Sequence, residues 1–153
     1  MFSEEESILL LRLWRVFSSI PKPSNFFYIE PGEISEKDDL NRFSALNWDS
    51  IEIKELNNCQ FGLNYLTPKA FKYVLPRLLS LLVEYGNSIA SMPFVDSMFY
   101  MVDQYDFPSL IVDFSDDQKR IYAEIMDHYF ADNENYPTVS GCQVSIKKKI
   151  LKT

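Results

Sequence analysis

The 153-residue chain carries few of the side chains that do covalent or metal chemistry: one His, two Cys and 22 Asp or Glu. His128 has Glu124 one helical turn before it, a spacing that lets a carboxylate orient an imidazole for acid–base work. Read without chemistry, His128 is a residue near a helix C-terminus, where a cation suits the dipole. A zinc site needs three or four His, Cys or acidic ligands in compatible spacing. His128 with the distant Cys59 and Cys142 does not supply them. There is no G-x-S-x-G elbow, and neither Cys stands in a nucleophile signature. Gly32, Gly62, Gly86 and Gly141 are isolated, so no Gly-rich phosphate loop exists. Asp103 and Asp106 lie one helical turn apart, as paired acids do in glycosidases and hard-metal sites, although Asp-rich helix ends are ordinarily solvated caps. The inventory points away from catalysis, and no cofactor or metal is expected.

Binding is better equipped. The formal net charge is −7, which repels phosphate backbones and argues against a general nucleic-acid binder. The excess is not evenly spread. Residues 1–77 hold 11 acids and 9 bases, and residues 119–153 hold 4 acids and 6 bases. Between Arg77 and Lys119 there is no Lys or Arg, while Glu84, Asp96, Asp103, Asp106, Asp113, Asp116 and Asp117 give −7. Tyr85, Phe94, Phe99, Tyr100, Tyr105, Phe107 and Phe114 share that stretch. Acids beside aromatics suit a basic protein partner, because opposite charge raises the encounter rate and buried aromatics hold the complex. The plainer reading places the aromatics in the core and the acids on the wet faces of the same helices. The lack of any base over 41 residues favours the partner. The contact residues expected are Asp96, Asp103, Asp106, Asp113, Asp116 and Asp117, with Tyr100 and Tyr105 as anchors.

The elements that must carry these residues are mainly helical. Hydrophobic residues make up 46% and aromatics 15%, enough for a real core and too much for a disordered chain. The length fits a single compact domain, of about five to seven helices with room for one short strand or extended segment. Ser3-Glu4-Glu5-Glu6 is a capping box opening a helix of about 15 residues with a broad apolar face, Ile8 to Phe17, ended by Pro21 and Pro23. Residues 24–33 read as irregular or briefly extended. Ser35 can cap a short helix through about Phe43, and Asp49 or Ser50 another to about Leu56, broken at Asn57-Asn58. Thr67-Pro68 starts a helix that Pro76 must kink or restart and that stops at Gly86-Asn87. Ser91 with Pro93 opens a further helix through Val102, and Ser115-x-x-Gln118 one to about Ala131. Residues 1–131 form the helical domain. Residues 132–153, with Lys147-Lys148-Lys149 and a candidate strand at Val144–Ile146, are expected to be a loosely attached basic tail. Two cysteines so far apart fit a reducing compartment, with a Cys59–Cys142 bridge as the alternative. The acidic start and the Arg12 and Arg15 interruptions do not resemble a secretory signal, and no stretch is apolar enough for a membrane span. A soluble, cytoplasmic protein is expected.

The order of segments resembles a family of small bacterial proteins of unknown function. Ile20-Pro21-Lys22-Pro23 follows the first helix, then Trp48-Asp49, then the run from Leu63 to Pro76 (LNYLTPKAFKYVLP), and later Phe114 to Arg120 (FSDDQKR). The family is marked by L-S-F/Y-L-T-P-E-A-F-R-Y-Y-L-P and a later F-T-P-E-Q-R, and the resemblance covers roughly residues 8–130. Lys69 stands in place of Glu, Lys72 in place of Arg, and Asp116-Asp117 in place of Pro-Glu. The resemblance implies a mostly helical fold and carries over no catalytic residue. The small acidic profile also resembles the immunity proteins of interbacterial toxin systems. That resemblance implies capture of a cognate toxin domain, commonly a basic nuclease, by an acidic surface that mimics its polyanionic substrate. The alternatives are an enzyme of unrecognised type using His128 with a nearby carboxylate, and a general adaptor or regulatory module.

Overall fold

The computed structural model describes residues 2–28, 37–59, 62–86, 92, 94 and 114–132, the last stretch with side chains through Ile125. The described chain is mainly helical, as expected. Helix α1 spans Glu4–Phe17. Its capping box forms: the Glu6 N–H donates to Ser3 Oγ at 3.1 Å, and the Ser3 N–H donates to the Glu6 carboxylate at 3.4 Å. The broad apolar face is not all core. Leu9, Leu13 and Phe17, spaced four apart, are buried, whereas Ile8, Leu11 and Trp14 are 50, 61 and 53% exposed.

After α1 the chain runs extended through Phe26-Phe27, and Phe27 forms a single antiparallel bridge with Leu66. The Tyr28 N–H donates to the Tyr65 carbonyl at 2.7 Å and the Thr67 N–H to the Phe26 carbonyl at 2.9 Å. Helix α2 (Lys37–Ala45) buries Leu40 and Phe43. A helix begun by Asp49 or Ser50 and broken at Asn57 is not what forms. Trp48–Ser50 is a separate 3-10 turn, and α3 (Ile53–Asn58) starts after Glu52. Burial explains the interruption. Ile51 is fully buried and extended (φ −72°, ψ 121°). Arg77 Nε donates to its carbonyl at 2.5 Å, and the Trp48 N–H donates to the Tyr73 hydroxyl at 3.2 Å.

A second 3-10 turn, Gly62–Tyr65, leads to α4 (Pro68–Tyr85). Thr67 caps it by accepting from the Ala70 N–H at 3.2 Å, with Pro68 in the first turn. Pro76 neither ends nor restarts it: one 18-residue helix runs through that position. A proline inside a helix costs about 3 kcal/mol. Leu75, Leu78, Leu79, Leu81, Leu82 and Val83 are all buried around it, at about 1.5–3 kcal/mol each, so core packing outweighs the missing backbone bond. The helix stops at Gly86, whose φ of +47° suits glycine.

Helix α5 (Asp116–Asp132) opens with the expected Ser-x-x-Gln box, the Gln118 N–H donating to Ser115 Oγ at 3.1 Å and the Ser115 N–H to Gln118 Oε1 at 2.9 Å. It buries Ile121, Tyr122 and Ile125. Helices α1, α4 and α5 pack against one another in pairs, α2 packs on α3, and the Trp48 turn packs on α4. Aromatic edges join these parts. Phe17 meets Phe114 at 5.4 Å between centroids, and Phe26 meets Phe43 and Tyr73 at 6.3 and 6.0 Å. Of the helix expected through Val102, only Met92 and Phe94 are described, Phe94 helical and fully buried. The tail from residue 133 and the strand expected there lie outside the described residues. Among the described residues no helix is long and apolar enough to cross a membrane.

Candidate functional site

Of the eight contact residues expected from the sequence, Asp116 and Asp117 are described. Both are exposed in the first turn of α5, and Asp117 pairs with Arg120 at 3.2 Å. Asp96, Tyr100, Asp103, Tyr105, Asp106 and Asp113 lie outside the described residues, as does the His128 side chain. The aromatics of the acidic stretch divide: Phe94 and Phe114 are buried, while Tyr85 is exposed. Glu124, the carboxylate expected beside His128, is held by Arg12 across the α1–α5 interface. Arg12 Nη1 donates to Glu124 Oε2, and Nη2 reaches Oε1 at 3.4 Å. Among the described residues no group of three or more His, Cys, Asp or Glu is placed to hold a metal ion.

The surface of α1 adds residues that the sequence placed only on a broad apolar helix face. Ile8, Leu11 and Trp14 follow the i, i+3 spacing that makes a continuous ridge on a helix, and all three are exposed. A cleft of about 340 Å³ beside this ridge is lined by Glu4, Glu5, Ile8, Leu9, Arg12 and Glu124. The ridge is therefore apolar, with Glu4, Glu5 and Arg12 beside its Ile8 end and exposed Arg15 next to Trp14. Eight apolar residues crowd Ile8 to Phe17, more than one helical stripe can turn inward, so some had to face out.

A larger groove, about 1000 Å³, opens where three segments distant in sequence converge. One wall is residues 19–25 after α1, a second is the start of α4 from Thr67 to Lys69 with Lys72, and the third is Phe114 with Gln118. Hydrogen bonds fix these walls. Thr67 Oγ1 donates to the Asn25 carbonyl at 2.9 Å, and Gln118 Nε2 donates to the Val16 carbonyl at 2.8 Å. Among the described residues the cations of the groove are Lys22, Lys69 and Lys72, and none of the described lining residues is acidic. Lys22 and Lys69 are exposed and form no ion pair with any described carboxylate. Lys72 Nζ stands 6.0 Å from the centroid of the Phe114 ring, within cation–π range. The sequence reading singled out all three segments as motifs and noted Lys69 and Lys72 as departures from a family pattern. It had no means of seeing that they share one opening. No family model, no curated protein and no solved structure matches this chain.

Proposed function

We propose that the protein is a binding protein that captures a basic protein domain and covers its active site, as immunity proteins do with toxin domains. The exposed Ile8-Leu11-Trp14 ridge carries this reading. An exposed Trp on an apolar ridge is the kind of anchor that dominates binding energy. The net charge of −7 favours a partner of opposite charge and speeds its approach. The seven acids and absent bases of residues 78–118 support the same choice of partner. Asp116 and Asp117 add two exposed acids at the start of α5.

The test is co-expression with whatever basic toxin domain is encoded beside the gene, followed by size-exclusion chromatography and binding kinetics; a neighbourhood without one counts against the reading. A 1:1 complex is expected, with W14A weakening it about 30-fold or more, the loss of about 2 kcal/mol typical of an aromatic anchor. Raising salt to about 0.5 M, where charges more than about 5 Å apart are screened, should slow association of the wild type. A D116K/D117K variant should associate more slowly at low salt. Absence of a complex, or a complex indifferent to W14A and to salt, would refute the reading.

A further inference from the structure

The groove between residues 19–25, the start of α4 and Phe114 contains no residue of the Ile8-Leu11-Trp14 ridge, and Asp116 and Asp117 lie beside its Phe114 and Gln118 wall. Its walls are tied together by hydrogen bonds that do not involve the lysines. Thr67 ties the second wall to the first through its hydroxyl and its N–H, at 2.9 Å to the carbonyls of Asn25 and Phe26. Gln118 spends both ends of its amide, on the Ser115 N–H and the Val16 carbonyl. The polar wall groups Thr67 and Gln118 are thus already engaged within the protein. Among the described residues, Lys22 from one wall and Lys69 and Lys72 from the opposite wall supply the charge of the opening. Elsewhere among the described residues Arg12, Arg42, Lys54 and Arg120 sit beside carboxylates; Lys22 and Lys69 do not.

We propose that this groove is a binding site for a small phosphate-bearing anion carrying at least two negative charges, held by Lys22, Lys69 and Lys72. Charge number decides for phosphate over a single carboxylate. One exposed ion pair is worth about 1 kcal/mol or less, so useful affinity requires a ligand that engages lysines from both walls together. Lysine binds phosphate as a flexible point charge and needs no fixed fork geometry. Ile20, Pro21, Pro23 and Phe114 line the same opening and give an apolar or ring-shaped portion of the ligand somewhere to rest. The net charge of −7 argues against a nucleic-acid strand without touching this case. At physiological salt the Debye length is about 8 Å. A small anion inside the groove responds to the three lysines, whereas a strand would run out over the acidic remainder of the surface.

Calorimetric titration of the full chain with pyrophosphate, with ADP and with a short single-stranded oligonucleotide tests this. Pyrophosphate or ADP should bind 1:1 with a Kd of about 1 mM or tighter, and K22E and K69E should each weaken it about tenfold. Both substitutions are at exposed positions, and unchanged circular dichroism will show that the fold is kept. Tighter binding of ADP than of pyrophosphate supports a ligand with a ring on the apolar wall. Equal or weaker binding of ADP supports a free phosphate compound. No binding of either at about 5 mM, binding of the oligonucleotide alone, or affinities unchanged in both K22E and K69E would overturn the proposal.

Discussion

Gly62 shows how a single residue can matter for a reason that motif reading misses. As an isolated glycine it belongs to no phosphate loop, and its φ is not positive. Its role is space. A Cβ built there would overlap Leu40 Cδ2, with Leu40 Cδ1 and Cγ at 3.1 and 3.2 Å. Leu40 is fully buried, so it has no solvent to retreat into, and turning its isopropyl end about χ2 moves both methyls while leaving the Cγ contact in place. G62A is therefore expected to destabilise by about 1–3 kcal/mol, the range for overpacking a filled core. Chemical denaturation should show a lower midpoint with an unchanged slope. The G62A/L40V double variant should recover part of the loss, because the two sites share the contact. A G62A midpoint equal to wild type would show that Leu40 moves aside at no cost.

At the scale of the element, what was legible in the sequence was local. Ser3, Thr67 and Ser115 cap the helices they were expected to cap, because a cap bonds to a residue three positions away and needs no tertiary contact. What failed depended on burial. The sequence reading could not choose Leu9 over Ile8 for the core. It could not decide between a kink and a restart at Pro76, where packing carries α4 through, or foresee that a buried Ile51 would split the 3-10 turn from α3. The candidate site was half legible: its three segments stood out as motifs, but their convergence on one groove is tertiary. Gln118 joins both kinds of information. A capping box accepts Glu or Gln equally, yet here the amide nitrogen also donates to the Val16 carbonyl at the end of α1. Q118E keeps the box and replaces that donor with an anion facing a carbonyl, beside Asp116 and Asp117. It should cost about 1–3 kcal/mol, where a box alone would predict no loss. Thermal melts of Q118E against wild type decide it, and equal midpoints would mean that the Val16 contact contributes nothing.

At the scale of the whole molecule, the three-helix core holds phenols whose ionisation the fold resists, and this gives stability a defined alkaline limit. Tyr122 is buried on α5, and burial pushes its pKa well above the ordinary 10.0. Tyr73 on α4 is also raised, chiefly by burial, with Asp49 adding to the rise and the hydrogen bond from the Trp48 N–H opposing it. Below about pH 10 both phenols are protonated whether the chain is folded or not, and their contribution is fully present. Above it the unfolded chain releases protons that the folded chain keeps, so the unfolded state binds fewer protons and stability falls as pH rises. The loss approaches about 1.4 kcal/mol per pH unit for each such phenol, and it continues until the raised folded values are reached. General repulsion also grows at high pH, since a chain at −7 near neutrality becomes more negative as its lysines lose protons. That background is shared by Y122F, which removes one phenol and leaves every other charge in place. Thermal melts between pH 8 and pH 11 should therefore give a steeper fall in Tm above about pH 10 for the wild type than for Y122F, whatever the two values are at pH 8. Parallel curves would show that Tyr122 ionises as readily in the folded chain as in the unfolded one.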